Sequence, residues 1–207
     1  MKSSIRKPAS EYRHGDLRNA LIAAAREELA AGKYETLSVR ELARRAGVTP
    51  NAFYRHFESK EAIFSVLATE GFTELNRRFD EVPAAAPRER LCLMSDVYTG
   101  FAEAHPAHYR LMFGAAKATL MSSPELHEAG TGCFGRLVAA TIAASGTGGP
   151  EDPLTLQRAL DIWSLVHGWS MLRIDGVASF LPPTPVRPAS VATAAIIDSW
   201  GASGSSP

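Results

Sequence analysis

The chain has 207 residues, 45% of them hydrophobic, which is enough apolar content for a packed core in one or two domains. Residues 1–60 hold twelve Lys and Arg against seven Asp and Glu, and the rest holds ten against fifteen, so the net charge of zero hides a cationic front and an anionic body. No apolar run is long enough for a membrane helix, and the first fifteen residues lack the apolar centre of a signal peptide, so we expect a cytoplasmic protein without membrane contact.

Helical periodicity dominates the first eighty residues. In DLRNALIAAAREELAAG the apolar side chains recur at the spacing of one helical face, with Asp16 near the start and Gly32 as a stop. In SVRELARRAG, Ser38 and Glu41 have the spacing of a capping box, in which the serine hydroxyl accepts from the Glu41 N–H and the glutamate reaches back. This second helix is predicted to end at Gly47, because glycine takes positive φ without steric cost.

A third, short helix is predicted in PNAFYRHF. Thr49 is placed to cap it, and Pro50 takes its first position, where the missing N–H costs no hydrogen bond. Phe53 and Phe57 are one turn apart and are expected in the core, whereas Tyr54 belongs to the polar side. A fourth helix follows in KEAIFSVLATEGFTELNRRF. Two helices separated by Gly-Val-Thr, the second short and polar on one side, match the helix-turn-helix pattern, whose second helix enters the major groove of DNA.

The rest of the chain is also predicted to be helical, with prolines and glycines between segments. The expected helices cover residues 88–104, 107–113, 124–144, 153–175 and 188–200. Segment 153–175 is apolar on two sides, with Leu160, Trp163 and Met171 on one and Ile162 and Leu172 on the other, which indicates one side in the core and one against a second subunit.

These elements predict an all-α fold with two domains. The expected parts are a flexible basic arm at 1–13, a helix-turn-helix DNA-binding domain at 14–80, an effector-binding and dimerisation domain at 81–200, and a disordered tail at 201–207. Cys92 and Cys133 lack a metal-binding spacing and are expected as buried thiols.

The string LSVRELARRAGVTPNAFYRHFESKEAIF is similar, almost position by position, to the DNA-binding domain of the TetR family of transcriptional regulators. The fragment WSLVHGW resembles a carboxy-terminal domain type of that family, the Trp-His-Gly (WHG) type. The resemblance implies a homodimer that binds double-stranded DNA and a small-molecule effector. It further implies a ligand-responsive repressor that the effector releases from a palindromic operator.

The resemblance also assigns DNA contacts to eight residues. Phosphate contacts are expected for Thr49, Tyr54, His56 and Lys60, base contacts or positions beside them for Asn51, Ala52 and Arg55, and a backbone contact across the groove for Arg40. Alternatives stay open for three of them, because Tyr54 can cover the domain edge, His56 can pack, and Arg55 can bind a phosphate or a nearby carboxylate.

An effector cavity is expected in the second half, and its wall is nominated from large side chains. The nominated residues are Phe101, His105, Met112, Phe113, Phe134, Trp163, His167 and Met171. Side chains of these types are more often plain core, and that alternative stays open for each of them. His105, His108 and His127 suggest a metal site as an alternative, but Pro106 breaks the helical spacing, so no metal and no cofactor are expected.

No catalytic motif of the nucleophile-elbow, zinc-protease or phosphate-loop type occurs, so we do not expect an enzyme. Two other classes remain open. A non-specific nucleic-acid organiser would use the same cations without sequence preference, and a small-ligand carrier would have the cavity without operator binding.

Overall fold

A computed structural model describes residues 14–33, 36–83, 86–114, 123–177 and 187–202. These residues form helices, turns and loops and contain no strand, so the predicted all-α fold is confirmed. The chain divides into two compact units, unit 1 at residues 1–67 and unit 2 at residues 68–207.

Unit 1 is built from three helices and the beginning of a fourth. The helices are α1, His14–Ala30; α2, Val39–Arg45; α3, Pro50–Phe53; and α4, Lys60–Asp80. The first eight residues of α4 belong to unit 1 and the remainder to unit 2, so the division falls inside this helix, whereas the sequence-based boundary stands at its end, 80/81. In unit 1, α2 packs against both α1 and α3.

Short-range capping explains where the helices of unit 1 begin and end. The Ser38 hydroxyl accepts from the Glu41 N–H at 3.2 Å, and the Thr49 hydroxyl accepts from the Ala52 N–H at 3.3 Å. Gly47 has φ +72°, which ends α2 as predicted. One half of the expected capping box differs, because the Glu41 carboxylate binds arginines of α2 instead of reaching back. The helix predicted in PNAFYRHF also stops early, at Phe53, and a turn covers residues 54–56.

Unit 2 is a helical bundle around one central helix. Its helices beyond α4 are α5, Pro87–Ala104; α6, Pro106–Phe113; α7, Pro124–Ser145; α8, Pro153–Ile174; and α9, Ala189–Ala202. Helix α5 is central, since it contacts α6, α7, α8 and α9. Leu91, Met94, Tyr98 and Phe101 of α5 are all buried, and they recur at the spacing of one helical side.

The predicted helices of unit 2 are confirmed within two residues at each end. Helix α9 runs to Ala202, so the first two residues of the expected tail 201–207 are helical, and the rest lies outside the described residues. The Arg158 guanidinium lies 4.9 Å from the centre of the Trp200 ring and holds this last turn of α9 against α8. The expected arm at 1–13 also lies outside the described residues.

One part of the prediction that α8 has two apolar sides is wrong. The sequence predicts Ile162 and Leu172 on one side, but Ile162 is 1% exposed and lies in the core with Ala159 and Val166, whereas Leu172 is 51% exposed. Successive residues of a helix differ in direction by about 100°, so Ile162 and Leu172 fall on different sides although both are apolar.

Two further expectations concern burial. Cys92 and Cys133 are both free and buried, as predicted. Over the described parts of the chain, no helix combines the length and apolar character that crossing a bilayer requires.

Candidate functional site

The first candidate site is the outer side of α3 with its flanking residues 49–60 and with Arg40 of α2, which we call the α3 surface. Thr49, Asn51, Tyr54, Arg55 and Arg40 are exposed, and Ala52, His56 and Lys60 are partly exposed. Tyr54 is 57% exposed, the highest value among the large hydrophobic side chains of the described residues. The eight residues predicted to contact DNA therefore all reach the surface of unit 1, and their contacts with DNA stay a prediction.

Buried aromatic side chains support this surface from below. Phe53 is fully buried and Phe57 nearly so, and their ring centres lie 5.6 Å apart. The Tyr54 ring meets Phe53 edge-on at 5.4 Å, and the Arg18 guanidinium lies 5.2 Å from the centre of the Phe57 ring. Because rigid rings fix the backbone of α3, its outward side chains have a defined direction.

Carboxylates neutralise Arg44 and Arg45 of α2 but not Arg40 and Arg55 of the α3 surface. Arg44 binds Glu41 at 2.5 Å, and Arg45 binds Glu41 at 3.1 Å and the buried Glu28 of α1 at 2.7 Å. The hydrogen bond from Arg44 lowers the pKa of Glu41 to about 2. By contrast, Arg40 and Arg55 form no ion pair with another described residue. Their positive charge is therefore available to an external anion.

The start of α4 adds a second anion-binding feature next to α3. The Ser59 hydroxyl accepts from the Ala62 N–H at 3.3 Å and caps the helix. The other N–H groups of a first helical turn have no partner within their helix. The Lys60 ammonium lies 5.6 Å from the centre of the Phe64 ring, so it is held at this helix start. A helix N-terminus with a lysine suits a phosphate group.

The second candidate site is an apolar cavity of about 340 Å³ in unit 2. Helices α4 to α8 all contribute to its wall, and six aromatic side chains dominate it: Phe72, Phe79, Tyr98, Phe113, Phe134 and Trp163. Its volume falls in the range of small-molecule sites.

The structure brings three of the eight nominated pocket residues together at this cavity, namely Phe113, Phe134 and Trp163. The other five are not part of the described wall. Met112 is buried against Gly71 of α4, and Phe101 faces a separate surface depression beside Arg78.

The remaining nominated residues lie behind the wall or beside it. His105 sits at the start of α6, with its Nε2 atom 3.0 Å from the Arg78 guanidinium. His167 binds tyrosines of the neighbouring helices, and Met171 is partly exposed one turn further along α8. Among the described residues no cluster of three His, Cys, Asp or Glu side chains could hold a metal ion, so the alternative site at His105, His108 and His127 has no support.

Sequence reasoning missed Phe72 and Phe79 of α4 and Tyr98 of α5 as wall residues. The seven-residue spacing of Phe72 and Phe79 was visible and marks one side of α4. That spacing identifies a buried side but does not distinguish a cavity wall from a packed core.

A chain of hydrogen bonds runs from the cavity wall into the bundle. Trp163 Nε1 donates to the Tyr98 hydroxyl at 3.2 Å, the Tyr98 and Tyr109 hydroxyls are 2.9 Å apart, and the Tyr109 hydroxyl lies 2.7 Å from His167 Nδ1. The Tyr98 hydroxyl also lies 3.3 Å from His167 Nδ1. We assign the Tyr109 O–H as donor to Nδ1, which is its shorter contact, and the Tyr98 O–H as donor to Tyr109.

The titratable groups at the cavity are neutral at physiological pH. Burial raises the pKa of Tyr109 to about 12 and the pKa of Tyr98 well above its usual value. Burial also raises the pKa of the Cys133 thiol, which lines the cavity, to about 12. Tyr98 and Cys133 of the wall, and Tyr109 behind it, therefore carry neutral phenol and thiol groups at physiological pH.

Unit 1 has a short helix with an exposed polar side and buried aromatic rings behind it, and unit 2 is a helical bundle with a cavity. This combination is typical of helix-turn-helix regulatory proteins. Residues 21–67 match the family model for bacterial regulatory proteins of the tetR family, and residues 91–196, about half of the chain, match the model for the tetracyclin repressor-like C-terminal domain. The chain belongs to the TetR family of bacterial transcriptional regulators, whose members bind DNA and form dimers.

Individual relatives agree with this assignment. The chain is similar to the HTH-type transcriptional regulator EthR of Mycolicibacterium smegmatis, with 31% identity over 131 residues that make up 62% of this chain and 58% of that protein. An uncharacterized HTH-type transcriptional regulator of Mycobacterium tuberculosis is 25% identical over 84% of this chain and 75% of its own length. A solved structure of a protein with unknown function from Rhodococcus sp. RHA1 has 29% identity and a TM-score of 0.69, covering 94% of this chain and 98% of that one.

Proposed function

We propose that the chain is a ligand-responsive repressor that acts in the cytoplasm as a homodimer, without catalytic activity of its own. In this proposal it binds a palindromic operator and leaves it when a small molecule fills the cavity of unit 2. The observation that carries the proposal is the α3 surface, where exposed polar side chains stand on the buried rings of Phe53 and Phe57.

The proposal assigns a role to each part of the α3 surface. Thr49, Tyr54, His56 and Lys60 bind phosphates, Asn51, Ala52 and Arg55 lie against base edges, and Arg40 binds the backbone on the other side of the groove. The charge pattern supports this division, because Arg40 and Arg55 have no carboxylate partner among the described residues whereas Arg44 and Arg45 have one.

The proposal places the dimer interface on α8 and α9. Most of the exposed large hydrophobic side chains in the described residues lie on these helices or just after α8: Leu154, Leu160, Leu172, Val177 and Val191. Apolar side chains concentrated on one region of a surface favour a protein interface there. Two copies joined there would present two α3 surfaces to half-sites about 34–36 Å apart, or a multiple of that distance.

Helix α4 provides the route from effector to DNA in this proposal. Phe72 and Phe79 of α4 line the cavity, and the first eight residues of the same helix belong to unit 1. An effector releases the operator only if it binds more tightly to the conformation that fits DNA poorly, since equal affinity for both conformations shifts nothing.

We also retain the WHG type for the carboxy-terminal half as part of the proposal. Trp163 and His167 are the ends of the hydrogen-bond chain through Tyr98 and Tyr109, which supports a shared structural role for the motif residues. Gly168, the third residue of the motif, follows His167 within α8, and an added Cβ there would meet no atom within 4 Å.

Selection of binding sites from random double-stranded DNA at a stated salt concentration tests the proposal. The expected result is a palindrome with two half-sites, because a two-fold dimer imposes its symmetry on the site. Binding without enrichment of any sequence would favour a non-specific organiser, and a protein that binds ligands but no DNA would be a carrier. Either result would refute the repressor proposal.

A further inference from the structure

We infer that the effector is an uncharged, largely apolar molecule of about the size of a two-ring aromatic compound, and that the Tyr98 oxygen accepts its single hydrogen-bond donor. This inference rests on the proposed function, which makes the unit 2 cavity the effector site. It goes further by naming the chemistry that the wall accepts and the chemistry that it rejects.

The cavity volume sets the size of the ligand. The volume is about 340 Å³, roughly twice that of a 150 Å³ apolar cavity that takes up one benzene molecule. A ligand that fills it therefore has about two rings, or an aliphatic chain of equal volume.

The shape of the wall favours a planar aromatic ligand. The Phe72 and Phe113 rings meet edge-on with centres 5.2 Å apart, and the Phe134 and Trp163 ring centres are 5.7 Å apart. Ring faces and edges that converge on one space provide offset and edge-to-face contacts to a further ring.

The described residues of the wall disfavour a charged ligand. None of them is Asp, Glu, Lys, Arg or His. The nearby Arg136, which is close enough to affect the Cys133 thiol, is bound by the Asp80 carboxylate at 2.6 Å and so is already neutralised. A buried carboxylate would have no cation, and the loss of its hydration would not be compensated.

Among the described residues of the wall, no strong hydrogen-bond donor is left unused. The Trp163 N–H is donated to Tyr98, and the Tyr98 O–H is donated to Tyr109. The Ser95 O–H is donated to the Leu91 carbonyl at 3.2 Å, and the Thr131 O–H to the His127 carbonyl at 2.8 Å.

The wall does have a hydrogen-bond acceptor that a ligand can use. The Tyr98 oxygen accepts one bond, from Trp163, and lies 2.9 Å from the Tyr109 oxygen and 3.3 Å from His167 Nδ1. Because the Tyr98 O–H points to these last two atoms as a donor in our assignment, the oxygen keeps capacity for one further acceptor contact. The remaining polar group, the Cys133 thiol, is a weak donor. The wall thus suits a ligand that donates a hydrogen bond and disfavours one that must accept several.

Three compounds with the same ring system separate these features: naphthalene, 2-naphthol and 2-naphthoate. Their binding to the full chain without DNA is measured by equilibrium dialysis at pH 7. We expect both neutral compounds to bind, 2-naphthol about 2- to 10-fold more tightly because of one extra hydrogen bond. We expect 2-naphthoate to bind at least about 100-fold more weakly than 2-naphthol.

Two variants test whether residues of the wall cause these differences in binding. In Tyr98→Phe the advantage of 2-naphthol over naphthalene should disappear while naphthalene binding is retained, which general damage to the cavity would not produce. In Thr131→Lys, which adds a cation at an exposed wall position, 2-naphthoate should bind at least about 10-fold more tightly than to the wild type. Ala139→Lys adds the same charge at an exposed position of α7 outside the described wall and should not change 2-naphthoate binding.

The inference is overturned if the wild type binds 2-naphthoate as tightly as 2-naphthol, or if neither neutral compound binds. Operator release is measured separately, so that failure of the proposed function can be told apart from failure of this inference. If the neutral compounds bind as expected but DNA is never bound, the repressor proposal fails while the ligand chemistry of the cavity stands.

Discussion

The two units of this regulator depend on the sequence in different ways. In unit 1 the functional surface comes from one short continuous segment, in which Thr49 starts α3, Phe53 anchors it and Tyr54 and Arg55 face outward. In unit 2 the cavity wall combines residues from Phe72 to Val166, contributed by helices far apart in the chain. A local surface is specified by neighbouring residues, whereas a cavity exists only after distant helices have packed.

The largest expected effect concerns the aromatic base of unit 1. Phe53 is fully buried, so Phe53→Ala should destabilise unit 1 by about 3–5 kcal/mol. Native-state hydrogen exchange should show faster exchange of amides in residues 14–67 than in unit 2. Tyr54→Ala is the matched control, since Tyr54 is exposed, and should change stability by no more than about 0.5 kcal/mol. Equal destabilisation by the two variants would contradict the assignment of Phe53 to the buried aromatic base and of Tyr54 to the exposed surface.

The corresponding test in unit 2 is the contact between α4 and α6. A Cβ added at Gly71 would lie 2.6 Å from the Met112 sulfur, and Met112 is 2% exposed, so it has little room to move. Gly135 of α7 is exposed, and a Cβ there would meet nothing within 4 Å. Because both positions are helical, thermal unfolding should show Gly71→Ala less stable than Gly135→Ala by about 1–3 kcal/mol. If Gly71→Ala were as stable as the control, this contact would not be tightly packed.

Arg55 should determine sequence preference. Arg55→Ala is expected to cost about 1–3 kcal/mol on the selected operator and to relax preference at one position of each half-site. Quantitative binding to a panel of single-base operator variants measures this change. An unaltered preference would remove Arg55 from the base-reading residues and leave it as a phosphate contact.

Lys60 should act on all DNA sequences alike. Lys60→Ala is expected to weaken operator and random DNA by the same factor and to lower the slope of log affinity against log salt by about 1, because one phosphate contact is lost. Titrations at several salt concentrations measure the slope. A change limited to the operator would contradict the phosphate role.

The smallest expected effect concerns the stability that Glu41 provides through its ion pairs with Arg44 and Arg45. The pKa of Glu41 is lowered from 4.5 to about 2 by Arg44, so its contribution to stability is present above about pH 4.5 and is lost as the pH falls towards 2. Between pH 5 and pH 2.5, the thermal unfolding midpoint of Glu41→Gln should therefore fall by less than that of the wild type. Glu58→Gln, at an exposed position, is the control, and an equal reduction there would mean that the Glu41 ion pairs are not responsible.

Most of unit 1 was predictable because its determinants are close in sequence. The Ser38 and Thr49 caps and the positive φ of Gly47 each involve residues within one helical turn. The exception is Glu41, whose side chain binds Arg44 and Arg45 because two arginines one turn away compete with the backbone N–H that a capping box would satisfy.

The cavity was only partly predictable, for a physical reason. Apolar periodicity identified Phe113, Phe134 and Trp163 as inward-facing, and it identified Phe101 and Met112 equally well. Whether an inward side chain meets a neighbour or an empty space depends on the distance between helix axes, which no local pattern encodes. Tyr98 could have been singled out only by knowing that Trp163 and Tyr109 lie beside it.

The most direct test of the central claim is operator affinity of the double variant Tyr54→Ala/Arg55→Ala, measured by fluorescence anisotropy at fixed salt. Arg44→Ala is the control, since Arg44 is an exposed arginine of unit 1 already bound by Glu41. The account predicts a loss of at least about 100-fold in the double variant with an unchanged unfolding midpoint, and little change in the control. Affinity retained by the double variant would show that the α3 surface does not bind DNA.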